Sequence, residues 1–221
     1  MKLFYKAGAC SMASHIALHE VGAHFDIEPV DTDADVTASG IDFSTINPKG
    51  YVPALMLDSG EILTEGPAVL QYIMEQHTDQ RDTPLVDPMQ RARLREHLNY
   101  TSSELHKSFS PLFAANTSEE DKSAARTNVA KKFDYINSLL SDGRLFLLGT
   151  VFTVADAYLF TVSNWANFTD IDVEKWPHIA DFIQRVAARP AVQVAMKAEG
   201  LIEWAQKIYQ PMQLALRNPP E

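Results

Sequence analysis

Cys10 is the only cysteine in the 221 residues, and its neighbours decide what chemistry it could do. It follows an apolar strand, Lys2 to Tyr5, and a loop of small residues, Ala7-Gly8-Ala9. It immediately precedes a helix expected from Ser11 to Val21, stopped by Gly22. A thiol at a helix N-terminus is drawn toward thiolate by the dipole and the free amides. A lone cysteine is more often a small buried hydrophobe, but the position here favours a reactive thiol. Ser11 has two readings: a helix N-cap, or a hydroxyl that donates to a bound thiolate.

Two nearby stretches could hold a ligand against that thiol. Asn47-Pro-Lys-Gly-Tyr-Val-Pro-Ala-Leu55 reads as a tight turn, Asn47 to Gly50, followed by an extended Val52 before Pro53. Only about 5% of X-Pro bonds are cis, yet a Val-Pro leading straight into an apolar strand is a setting where cis is expected. The Val52 backbone could then pair with an extended peptide ligand as an added strand would. Downstream, Ile62-Leu63-Thr64 is a strand, Gly66 ends it, and Pro67 suits the first turn of a helix over Ala68 to Glu75. The free amides at Gly66 would bind a carboxylate, and Glu65 would accept hydrogen bonds from an ammonium group. Together they suit the end of an amino acid. The alternative is a hairpin-to-helix junction with a solvated Glu65.

Further along, Asn99, Ser103 and His106 are spaced i, i+4, i+7 on one helix face, with Lys107 adjacent. A polar stripe of this kind is ordinarily a solvated face, although His106 could exchange protons near neutrality. His15 and His19 also stand four apart, but no third ligand has convincing spacing, so no metal is expected.

The elements that must position these groups fall into two sets. Strand Lys2–Tyr5, the first helix and strand Phe25–Val30 form a βαβ unit. After a looser segment come strands at Ala54–Leu57 and Ile62–Thr64, joined by the turn Asp58-Ser59-Gly60, and then a helix. This is a thioredoxin-like α/β arrangement over residues 1–79. A linker at 80–88, within the proline-bearing stretch His77 to Pro88, precedes an all-α domain at 89–221. Helices are expected there over Met89–Ser108, Glu119–Leu140, Val154–Phe168, Trp176–Ala188 and Ala191–Lys207. Thr153 and Asp156 form a capping box for the third of them. Trp165, Trp176 and Trp204 are expected to pack helices, and Trp165 could also reach an apolar cavity.

Charge narrows the partners. Residues 1–80 carry three Lys or Arg against twelve Asp or Glu, and the rest sixteen against seventeen. That acidity argues against nucleic acid and against anionic membranes. No apolar run approaches the roughly 18 residues of a membrane span. MKLFYK lacks an apolar signal region and one cysteine allows no internal disulfide, so a cytoplasmic location is expected.

Cys10-Ser11 before a helix, NPKGYVPAL and LTEGPAVLQYI resemble the N-terminal domain of a bacterial glutathione transferase, most closely the beta class. Leu98-Asn99-Tyr100, Ser103 to Lys107, Ser110 to Phe113 and Phe152 to Phe160 extend the resemblance from Met1 to about Leu201. The resemblance implies the glutathione transferase fold, a homodimer, and glutathione as substrate rather than cofactor, with a small apolar electrophile as co-substrate. It places the γ-glutamyl end at Glu65 and Gly66, the cysteinyl backbone along Tyr51, Val52 and Pro53, and the sulfur near Cys10. It implies that Asn99, Ser103, His106 and Lys107 line the same site, with His106 approaching the sulfur. Cys10, Ser11 and His106 are the implied catalytic set, and Cys10 would shape a thiolate site or exchange disulfides with glutathione.

Two departures oppose a strong glutathione site. Beta-class relatives often carry a lysine where this chain has Asp33-Ala-Asp35, and that lysine contacts the glycyl carboxylate. Tyr51 stands where they usually have glutamine. Lys49 or Lys107 could compensate. The alternative function is a non-catalytic ligand-binding or interaction protein on the same fold.

Overall fold

The computed structural model describes residues 1–77 and 87–201. Five strands form one mixed sheet in the order β3-β2-β1-β4-β5. Strand β1 (Lys2–Tyr5) runs through helix α1 (Ser11–Glu20) to strand β2 (Asp26–Asp31), which pairs parallel to β1 with Leu3 opposite Ile27. Strand β4 (Ala54–Met56) lies antiparallel on the other side of β1, and the hairpin to β5 (Ile62–Thr64) closes that edge. Its turn needs Gly60, whose φ of +85° lies in the left-handed region that side chains disfavour. Helix α2 (Gly66–His77) follows. The expected βαβ–ββα order is therefore present. A short strand β3 (Val36–Thr37), paired antiparallel to β2, occupies the stretch expected to be looser.

Strand alternation divides the apolar residues between two faces. Leu3 and Tyr5 point into the main core with Ile16 and Leu18 of α1 and Leu70 and Ile73 of α2. Phe4 points the other way, into a smaller cluster with Val30, Phe43, Val52 and Ala54. Burying a side chain such as Phe43 is worth roughly 1.5–3 kcal/mol, so this cluster secures the loop that carries Val52.

The remaining helices are α3 (Pro88–Tyr100), α4 (Lys107–Phe113), α5 (Glu119–Leu140), α6 (Val154–Ser163), α7 (Pro177–Ala187) and α8 (Pro190–Ala198). The single helix expected over Met89–Ser108 is corrected. A π-helical turn, Thr101–His106, separates α3 from α4, and Pro111 sits inside α4. The helix expected over Val154–Phe168 ends at Ser163 and continues as a 3₁₀ segment, Asn164–Phe168. The last helix stops at Ala198, ahead of Gly200 at φ +74°; the part expected beyond Leu201, including Trp204, lies outside the described residues. Most of the linker expected at 80–88 lies outside them too, and Asp87 caps α3 by accepting from the Met89 amide at 3.2 Å.

Helix α1 is wedged between the sheet and the helical domain, packing on α2, α6 and α8. Every residue from Ser11 to Leu18 is buried, so one continuous core joins the two halves. Polar clamps reinforce the seam. Arg189 donates twice to Glu20, at 2.6 and 2.7 Å, and its guanidinium lies 4.1 Å from the Phe152 ring centroid. Among the described residues no helix is long and apolar enough to cross a membrane.

The sheet has its own acid-sensitive point. Glu28 on β2 accepts from the Ser39 hydroxyl and from Lys2 at 2.9 Å, and these bonds, Ser39 first, hold its carboxyl down at about 2 from an ordinary 4.5. A depressed folded pKa stabilises above the unfolded value and is lost as pH falls through the folded one. Wild-type stability should therefore decline between pH 4.5 and 2, and Glu28→Gln should flatten that decline in denaturant titrations. An unchanged slope would remove Glu28 from the account.

Candidate active site

The loop Lys6-Ala7-Gly8-Ala9-Cys10 lines a cleft of about 530 Å³ whose far wall is His106, Phe113, Trp165, Phe168 and Leu201. The near side belongs to the sheet domain and the far side to the helical one. Gly8 holds the loop in the left-handed region at φ +72°, with Leu201 in van der Waals contact with the place a Cβ would occupy. Trp165 donates to the Gly8 carbonyl at 2.9 Å, and Glu199 accepts from the Gly8 amide at 2.8 Å. The helical domain therefore holds the cysteine loop from both sides.

Cys10 is half-buried and its Sγ lies 3.4 Å from the Val52 carbonyl oxygen, to which the thiol donates. Burial pushes its pKa up to about 11, outweighing the pull of the amides of Cys10 and Ser11 and of nearby Lys107. The expectation of a thiol shifted toward thiolate is thus corrected. The helix N-terminus acts in the expected direction, but desolvation of the anion is the larger effect.

Ser11 is corrected as well. Cys10 itself occupies the N-cap position without a side-chain cap bond. The Ser11 hydroxyl is fully buried, accepting from the Lys6 amide at 3.2 Å and donating to the Lys6 carbonyl at 3.3 Å. It braces the loop from behind and presents no donor to the cleft. His15 is likewise committed, its Nδ1 lying 2.9 Å from buried Glu199 Oε1.

Glu65 anchors a second cluster beside Cys10. It sits at φ +69°, a conformation that costs a non-glycine residue roughly 1–3 kcal/mol, and its carbonyl accepts from the first turn of α2 at Ala68 and Val69. Its carboxylate accepts from Lys49 Nζ at 2.6 Å and from the Tyr51 hydroxyl at 2.7 Å, which hold its carboxyl below the usual range. Lys49 also bonds Thr64 at 3.0 Å, so it is committed to this cluster. Asn47, buried in the turn, donates to the Tyr51 carbonyl at 2.5 Å and accepts from the Lys49 amide at 3.2 Å. The Val52–Pro53 bond is cis.

His106 stands opposite Cys10. Its Nδ1 lies 3.0 Å from the Tyr158 hydroxyl and its ring meets Trp165 edge-on, centroids 4.8 Å apart. Burial, then Lys107, lower its pKa to about 4, so the imidazole is neutral at pH 7 instead of titrating near neutrality. Asn99 and Ser103 do not line the cleft. Both are exposed, and the Ser103 hydroxyl donates to the Asn99 carbonyl at 2.8 Å. The π turn breaks the regular i, i+4, i+7 stripe, turning His106 inward while Ser103 faces out. Lys107 is exposed, and its charge acts on Cys10, Glu65 and His106.

Several groups escaped the sequence reading. Lys6 lines the cleft and bonds Thr32 at 2.8 Å, with Asp33 at 3.4 Å, so a cation stands beside the acidic loop. Asp35, singled out in the sequence as a departure, adopts an unforeseen φ of +55° with one carboxylate oxygen buried and unpartnered among the described residues. Tyr158 lies in the apolar run Val154–Ser163, where nothing distinguishes it from core. The expected helix Val154–Phe168 offered one signal, because it would put Tyr158 and Trp165, seven residues apart, on one face.

A thioredoxin-like sheet domain that lends a cysteine to a cleft closed by an all-helical domain defines a class of two-domain thiol-site proteins. The family model described as the glutathione S-transferase N-terminal domain matches residues 7–76, and that of the C-terminal domain matches residues 100–190. Glutathione S-transferase GstA of Escherichia coli O157:H7 is 48% identical over 201 residues, covering 91% of this chain and all of that protein. The beta-class glutathione S-transferase of Sphingomonas chungbukensis superposes with a TM-score of 0.86 at 45% identity, covering 91% of this chain and all of that one. A sphingomonad glutathione S-transferase complexed with glutathione gives the same score, identity and coverage. The chain belongs to the glutathione S-transferase family, and its likeness is to the bacterial beta class.

Proposed function

We propose that this chain is a glutathione transferase that joins the glutathione sulfur to a small electrophile bearing an apolar group. The observation that carries the reading is the shared cleft, in which Cys10 and His106 face one another beneath an apolar wall of Trp165, Phe113, Phe168 and Leu201. Phe113 and Phe168 are 52% and 45% exposed, apolar surface left open for a second substrate.

In this reading the γ-glutamyl end lies at Glu65 and Gly66, the cysteinyl backbone runs along Val52, and the sulfur enters between Cys10 and His106. The thiol proton leaves to solvent. The thiolate then attacks an electrophilic carbon, a C–S bond forms, and the leaving group departs with the bonding pair. Cys10, kept as a thiol at neutral pH, turns its S–H from the Val52 carbonyl, which the ligand backbone then takes, to donate to that thiolate. Its raised pKa also disfavours the expected exchange role, since exchange needs the thiolate form. Exposed Asn99 and Ser103 reach a ligand only at the outer edge, and the homodimer implied by the family is where they would do so. Lys6 is the cation nearest the acidic loop where the glycyl carboxylate would end.

The bonds from Lys49 and Tyr51 to Glu65 favour a second reading, a weak or absent glutathione site on a binding protein, because a ligand ammonium must compete for that carboxylate. Calorimetric titration with reduced glutathione at pH 7 separates the two. Saturable heat at one site per chain is expected, and no heat at millimolar ligand would sink the transferase reading. Glutathione-dependent disulfide reduction should be weak beside conjugation, and Cys10→Ala should lower conjugation only in part; a strong reductase activity that Cys10→Ala abolishes would restore the exchange role.

A further inference from the structure

Tyr158 is 3% exposed, and its hydroxyl meets the cleft through His106. It lies 3.0 Å from His106 Nδ1 and 3.9 Å from the place a Cβ on Gly66 would occupy. Among the described residues its hydrogen-bond partner is His106.

We propose that Tyr158 is a positioning residue, whose hydroxyl donates to Nδ1 of His106 and so fixes the imidazole in the tautomer that carries its proton on Nε2, facing the cleft. The direction follows from hydrogen counting. A neutral imidazole has one donor and one acceptor nitrogen, and a phenol has one proton to give. Were Nδ1–H the donor, the buried phenolic proton would be left without an acceptor among the described residues, so Tyr158 gives its proton to Nδ1. Nε2 then holds the proton and is left for the cleft that His106 shares with Cys10. Trp165 packs edge-on against the ring, centroids 4.8 Å apart, and with the Tyr158 bond holds its orientation.

The consequence is a division of labour. An imidazole with an Nε2 proton donates to a sulfur anion and cannot take the thiol proton through that nitrogen. His106 would therefore stabilise thiolate as a donor rather than as a base, a role that rests on the transferase reading. The charged and titratable groups around it are Lys107 on its own segment, Tyr158 from α6, and Cys10 and Lys6 across the cleft. Lys107 and burial both oppose a second proton on the ring.

Nitrogen-15 NMR of the histidine-labelled full chain, without glutathione, reads the tautomer directly, with the His106 signal assigned by its loss in His106→Asn. The expected result is the Nε2–H form at pH 7, and loss of that preference in Tyr158→Phe. An Nδ1–H form in the wild type, or an unchanged Nε2–H form in Tyr158→Phe, would overturn the proposal. Should Tyr158→Phe fail to fold, the wild-type tautomer decides alone: the Nε2–H form supports the proposal and the Nδ1–H form overturns it. In conjugation assays the pH midpoint of kcat/KM should rise by about one unit in Tyr158→Phe, the worth of one hydrogen bond, with KM for glutathione little changed. A wild type that shows the tautomer but no glutathione binding overturns the transferase reading alone.

Discussion

Alkylation of Cys10 by iodoacetamide should be slow at pH 7 and should accelerate about tenfold for each pH unit up to pH 10, a thousandfold in all. With its pKa raised to about 11, roughly one thiol in ten thousand is ionised at pH 7, against a few per cent for a free cysteine. The higher intrinsic nucleophilicity of a high-pKa thiolate recovers part of that deficit. The net rate should be about one to two orders of magnitude below free cysteine, before the shielding of a half-buried side chain is counted. Because Cys10 is the only cysteine, intact mass spectrometry measures its modification without interference. A rate that levels off by pH 8 would mean that the helix N-terminus and Lys107 outweigh burial. Cys10 would then be a nucleophile in its own right, and disulfide exchange would become the leading activity.

The second large effect concerns folding. Asp156 is fully buried at the start of α6 and accepts from three donors: the Leu147 amide at 2.7 Å, the Thr153 amide at 2.8 Å and the Thr153 hydroxyl at 2.8 Å. Asp156→Ala removes a capping box worth about 1 kcal/mol and strands buried donors at about 1–3 kcal/mol each. A loss of about 3–5 kcal/mol is expected, which for a chain of this size lowers Tm by roughly 10 °C or more. A shift under about 3 °C would show that water or repacking replaces the carboxylate. Burial raises the Asp156 pKa from 3.8 to about 6 against the pull of the three donors. A raised folded pKa means that the stability conferred by protonation is present below the unfolded value and lost as pH rises through about 6. Asp156→Asn should remove that part of the pH dependence, which runs opposite to that of Glu28. The consequence for function is direct, since α6 carries Tyr158 and leads into Trp165.

What was legible in the sequence is whatever depends on residues adjacent along the chain. The Asn47–Gly50 turn, the cis bond before Pro53, the helix start after Glu65 and the Thr153–Asp156 box are each set by a few neighbouring residues whose backbone preferences agree. Strand alternation in β1 likewise follows from the pleat alone. The ionisation of the site was not legible, because a pKa depends on how much water the packed chain removes. Cys10 has the helix N-terminus its position promises, but packing against the helical domain desolvates it and reverses the net shift. The same holds for His106, whose spacing from Ser103 placed both on one face until the π turn separated them.

By itself, then, the sequence determined the two-domain order, the helix and strand starts, and a thiol beside an amino-acid anchor. Only the tertiary structure decided that Ser11 braces the loop from behind, that Lys49 and Tyr51 close on Glu65, and that Tyr158 from a distant helix holds His106. Those outcomes depend on contacts between residues far apart in the chain, and on the dielectric that such contacts create.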